Sequence, residues 1–100
     1  MTKPINKTSM FNVNRLIDSY MQECNYWFGR DNGMSEMYAA DRNDFMTVRD
    51  LYKDFEYDKL VEFVHRMDTS PREDIVIAMA KDCGVAFVRD TFGYDCEGYA

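Results

Sequence analysis

From Asn12 to Phe28 the apolar residues Val13, Leu16, Ile17, Tyr20, Met21, Cys24, Trp27 and Phe28 recur at intervals of three and four. That is the period of an amphipathic α-helix, and no other stretch of the chain fixes its local structure so firmly. Asn12 or Asn14 is the expected N-cap, and Gly29-Arg30-Asp31-Asn32-Gly33 is the expected stop. Trp27 and Phe28 continue the stripe. The Tyr26-Trp27-Phe28 cluster is therefore read as core rather than as a stacking platform for a base or cofactor.

The rest of the chain follows the same period. Met34 to Asn43 reads as a short helix capped at Ser35. Asn43 or Asp44 then caps a further helix with Phe45, Val48, Leu51, Tyr52 and Phe55 turned inward. Continuing that stripe needs apolar residues at 58 and 59, where Asp58 and Lys59 stand. It resumes instead at Tyr57, Leu60, Val61, Val64 and Met67, a phase slip that predicts a break near Glu56. Ser70, Pro71 and Glu73 form a capping box with proline at the first helical position. The helix behind them holds Ile75, Val76, Met79, Ala80 and Cys83, and either ends at Gly84 or runs on through Ala86, Phe87 and Val88.

These segments predict an all-α fold: a small single-domain bundle of four to five short helices. The first helix and the one after Pro71 are expected to be its longest. The expected core is Leu16, Ile17, Tyr20, Trp27, Val48, Leu51, Phe55, Leu60, Val64, Ile75, Met79 and Phe87. Residues 1–10 read as a flexible arm, and 11–100 as one helical domain ending in an acidic, aromatic tail. One hundred residues fit one domain, and a hydrophobic content of 46% argues against disorder.

No apolar run is long enough to span a membrane, and the first ten residues lack the apolar stretch of a signal peptide. The expected location is cytoplasmic. There the three cysteines (Cys24, Cys83 and Cys96) are read as reduced thiols. With His65 they could form a zinc site only without the close cysteine pair such sites carry, so no metal and no cofactor is expected. His65 is the single histidine, and no Ser or Cys pairs with it in a recognisable catalytic pattern. The chain is not expected to be an enzyme.

Charge narrows the functions further. The net charge is −6, with nine acids against four bases over residues 31–62 and seven against three over 68–100. Phosphate neutralisation dominates nucleic-acid binding, so direct DNA or RNA contact is not expected. Asp50, Asp54, Asp58 and Glu62 fall four apart, an interval that on one helix spans about 6 Å, similar to the phosphate spacing of a nucleic-acid strand. The predicted break divides them, two to each helix. Asp50 with Lys53, Glu56 with Lys59 and Glu62 with Arg66 can pair within a helix, so the same acids also fit a solvated face. In the tail, Phe92, Tyr94 and Tyr99 alternate with Asp90, Asp95 and Glu97, and aromatics make good interface anchors.

Around Ala80, Gly84 and Val85 some twenty residues resemble the helix-turn-helix family, which implies a transcriptional regulator. Its second helix begins Ala86-Phe87-Val88, apolar where bases should be read, and offers a phosphate only Arg89. In size, acidity and lack of catalytic motif the chain resembles small host-defence inhibitors of phages and plasmids, the anti-restriction and anti-CRISPR proteins. The first expectation is an acidic inhibitor that mimics nucleic acid on the basic surface of a protein partner. Its expected contact residues are Asp50, Asp54, Asp58, Glu62, Asp90, Tyr94, Asp95 and Glu97. The others are a helix-turn-helix regulator and an oligomeric scaffold, homodimeric at its simplest, built on the methionines and aromatics.

Overall fold

The computed structural model describes residues 8–99, which form five α-helices and, among the described residues, no strand. They are α1 (Phe11–Trp27), α2 (Asn32–Lys53), α3 (Tyr57–Arg66), α4 (Thr69–Cys83) and α5 (Val85–Phe92). Residues 1–7 of the expected arm lie outside the described residues. Of its last three residues, Thr8 accepts a hydrogen bond from the Tyr52 hydroxyl at 3.0 Å and Met10 is buried.

The start of α1 is built from a distance of seventy residues. Met10 is its N-cap and supplies no side-chain hydrogen bond. Asp82 of α4 does that work: the backbone N–H groups of Asn12 and Val13 donate to its Oδ1 at 2.9 Å and its Oδ2 at 2.8 Å. These are the N2 and N3 donors that a local cap normally satisfies. Asn12, expected as the cap, lies two residues further in, within the first turn, and its own Nδ2 donates to the same Oδ1 at 2.8 Å. Asn14, the other expected cap, is likewise inside the helix.

The two helices expected over residues 34–55 are one, and α2 is the longest element with 22 residues. Its true cap is Asp31, whose side chain accepts from the Met34 N–H at 3.2 Å. Ser35 is buried inside the helix, its hydroxyl donating to the Cys24 carbonyl at 2.9 Å. The cause of the fusion is continuous packing. Successive turns of α2 meet α1 through Ser35 at Cys24, Tyr38 at Tyr20, Arg42 at Met21, Phe45 at Tyr20 and Arg49 at Asn14. A break at Asn43 or Asp44 would interrupt that face.

The break near Glu56 is where the phase slip puts it. Phe55 takes the left-handed conformation at φ 59°, its N–H bonds the Tyr52 carbonyl at 3.1 Å, and the Glu56 N–H bonds the Leu51 carbonyl at 3.0 Å. This is a Schellman stop with phenylalanine where glycine is usual. Phe55 is consequently exposed rather than core. Its ring lies 5.9 Å from Tyr57, which in turn lies 6.1 Å from Phe87.

At α4 the helix begins two residues before the expected proline start, with Asp68 as N-cap and no side-chain cap bond. A first-turn proline forfeits no helical hydrogen bond at any of these positions, and Pro71 is buried there. Gly84 ends α4 at φ 98° and ψ 148°, a conformation essentially confined to glycine, and α5 starts at the next residue.

All five helices feed one core, whose fully buried side chains are Val13, Phe45, Val48, Leu60, Val64, Ile75, Met79 and Val88. Each contributes about 1.5–3 kcal/mol of apolar burial. Leu16, Tyr20, Leu51 and Phe87 pack on its margin. No residue of α1 after Ile17 is buried. Trp27 is half-buried, with Nε1 donating to Glu23 at 3.2 Å, and Phe28 is 77% exposed. Both were expected in the core, but the apolar stripe outruns the helices that could cover it. α4 lies beside α1 from Asn12, at Asp82, to Tyr20, at Asp74.

Candidate functional site

The four acids of the α2–α3 region come from two helices that meet at a bend. Asp50 lies in the last turn of α2, Asp54 is its C-cap, Asp58 sits in the first turn of α3, and Glu62 one turn on. All four are exposed. Asp50 pairs with Arg49 at 3.2 Å rather than with Lys53, and Glu62 pairs with Arg66 at 3.8 Å. Such exposed pairs contribute at most about 1 kcal/mol. The positions differ in what the backbone asks of them. Asp58 sits at the positive end of α3, where a carboxylate is favoured, whereas Asp50 and Asp54 crowd the negative end of α2, where one is disfavoured.

In the tail, Asp90 is paired with its neighbour Arg89 at 3.3 Å, and Asp95 Oδ1 accepts from the Glu97 N–H at 3.1 Å. Both acids and Glu97 are exposed. Phe92, expected as an interface anchor, is buried in the core. Tyr94 is half-buried beneath the Arg72 guanidinium, 5.6 Å from its ring centre, with the His65 ring edge-on at 5.7 Å. Between α4 and this tail lies a cleft of about 280 Å³ lined in part by Glu73, Val76, Tyr94, Asp95 and Tyr99.

A second group of acids is assembled only by the fold. The Tyr20 hydroxyl donates to Asp74 Oδ2 at 2.6 Å. Burial, then that bond and the Asp74 charge, push the tyrosine well above its ordinary value. Asp41 is raised by desolvation and by the charges of Asp44, Asp68 and Asp74, and Asp44 by desolvation and by Asp68. Four carboxylates from α2, α4 and its cap thus share one side of the molecule. Asp41 and Asp44 stand three apart, but no sequence pattern ties them to residues on α4.

The reactive side chains are dispersed. His65 Nε2 lies 2.9 Å from the Phe92 carbonyl. Cys24 meets Ser35 at 3.4 Å, Cys83 ends α4, and Cys96 is buried in the tail. Burial raises the Cys83 and Cys96 thiols, which disfavours the nucleophilic thiolate. Among the described residues no group of three or more His, Cys, Asp or Glu is arranged to hold a metal ion, and no helix is long and apolar enough to cross a membrane. α4 and α5 join through Gly84 alone, and the exposed positions of α5 are Ala86, Arg89 and Asp90, with Arg89 held by Asp90. No protein family, curated protein or solved structure matches the chain.

Proposed function

We propose that the protein is a small acidic inhibitor that acts by binding another protein. It occupies a basic, nucleic-acid-binding surface of that target in the cytoplasm, as phage- and plasmid-borne anti-restriction and anti-CRISPR proteins do. It has no catalytic step of its own. The observation that carries this reading is the placement of Asp50 and Asp54. They stand exposed at the negative end of α2, where they oppose the helix dipole instead of supporting it. Exposed acids at a position that opposes the dipole fit a contact outside the fold, with Arg49 the one base paired to Asp50 within it. Asp58 and Glu62 extend the charge round the bend onto α3, and complementary charge gives fast, salt-sensitive association.

The test is charge reversal. Asp50→Lys with Asp54→Lys should keep the helical fold and lower affinity for the captured target by on the order of 100-fold. The wild-type protein should displace nucleic acid from that target and never retard DNA in a low-salt gel shift. Unchanged affinity in the double variant, or a shifted DNA band, would overturn the proposal.

A further inference from the structure

We propose that the cleft between α4 and the C-terminal tail is an arginine pocket, receiving one arginine side chain of the protein partner. This rests on the reading above for the partner's basic character, and on the cleft itself for everything else. At about 280 Å³ it lies at the small end of the roughly 300–1,000 Å³ range of pockets for drug-sized ligands and cofactors, with room for a single long side chain. Its buried lining is apolar, from Val76 and Cys96 with Ile77 half-buried beside them, which suits the methylene stem of a long cationic residue.

Two tyrosines complete the lining. Tyr94 already carries the guanidinium of Arg72 over its ring at 5.6 Å, so the ring left for an incoming cation is that of Tyr99. Tyr99 is 65% exposed, and its ring makes no aromatic or cation contact among the described residues. The exposed rim carries Glu73 and Asp95. The Glu73 carboxylate has no hydrogen bond or ion pair among the described residues, and of the Asp95 carboxylate only Oδ1 is engaged, by the Glu97 N–H. Two carboxylates against the one charge of Arg72 leave the lining negative. A planar guanidinium can stack on a ring and bond a carboxylate in its own plane at once, which an ammonium cannot, so arginine is the occupant.

The experiment titrates the isotope-labelled full chain with a capped Gly-Arg-Gly peptide and follows backbone amides by NMR. Saturable shifts confined to residues 72–77 and 94–99 are expected. The same peptide carrying citrulline, which keeps the shape and loses the charge, should bind about tenfold more weakly or worse. Glu73→Gln with Asp95→Asn should weaken arginine binding by about tenfold, and Tyr99→Leu by about threefold, with amides elsewhere unmoved. Linear, non-saturating shifts, an equal response to citrulline, or shifts centred elsewhere would overturn the pocket. The two proposals fail separately. Target binding that survives Glu73→Gln with Asp95→Asn but not reversal at Asp50 and Asp54 removes the pocket and leaves the acidic surface. The peptide titration measures the pocket even where charge reversal leaves target binding intact.

Discussion

Asp82 is the side chain whose removal has the most calculable effect. Asp82→Ala takes away both acceptors for the Asn12 and Val13 N–H groups and the anchor of the Asn12 amide. Loss of a helix cap costs about 0.5–2 kcal/mol, and stranding a buried donor costs about 1–3 kcal/mol. These are two descriptions of one loss rather than a sum. The site is partly buried, so water recovers some of it, and about 2 kcal/mol is the expected destabilisation. For a domain of this size that is a fall in Tm of about 10 °C. Asp82→Asn keeps one acceptor oxygen but neither the charge nor the second acceptor, and should cost about half as much. Asn12→Ala removes only the side-chain bond and should cost less than about 1 kcal/mol. Thermal unfolding by circular dichroism measures all three. An Asp82→Ala protein melting within about 2 °C of wild type would refute the reasoning. So would an asparagine variant as damaged as the alanine one.

The left-handed backbone of Phe55 makes a prediction of sign: Phe55→Gly should be more stable than Phe55→Ala by about 1 kcal/mol in urea unfolding, the reverse of the order inside a helix. Asp50→Lys with Asp54→Lys should leave stability level or raise it, by about 0.3–1 kcal/mol per site before the loss of the Arg49 pair, in the same measurement. The pH prediction concerns Asp41 and Asp44, whose carboxyls are raised in the folded protein. A raised acid makes the native state bind more protons than the unfolded one, so its penalty is complete above the folded value and is relieved as pH falls through that value toward the ordinary carboxylate range. Lowering the pH from neutrality toward the ordinary carboxylate range should therefore raise the Tm of wild type relative to Asp41→Asn, and parallel curves would contradict the assignment.

The helices were legible in the sequence wherever periodicity and a phase slip carried the information. Val13, Leu16, Ile17 and Tyr20 mark α1, and the misfit at Asp58 and Lys59 marks the stop after α2. What the sequence obscured came from long-range partners. Ser35, Asn43 and Asp44 are good cap residues, yet they lie inside α2 because the face from Ser35 to Arg49 is packed against α1. Asn12 is not the cap of α1 because Asp82, seventy residues away, performs that role. Trp27 and Phe28 fit the stripe, but nothing in their spacing says how far the covering helices extend. The acids of the α2–α3 bend could be found from their interval alone. The grouping of Asp41, Asp44, Asp68 and Asp74 on one side of the molecule needed the path of the chain in space.

The uneven burial along the first hairpin also shapes how the molecule behaves as a mechanical object. Near Val13, Ile17, Phe45 and Val48 the two helices are fixed by the core, whereas beyond them only Ser35 is buried until the turn at Gly29. Local opening at the far end would break the contacts of Ser35, Tyr38 and Arg42 with α1 but expose no buried apolar layer. The apolar layer that locks the two helices together therefore occupies only one end of the pair, and the contacts toward the turn are polar or aromatic and partly open to water.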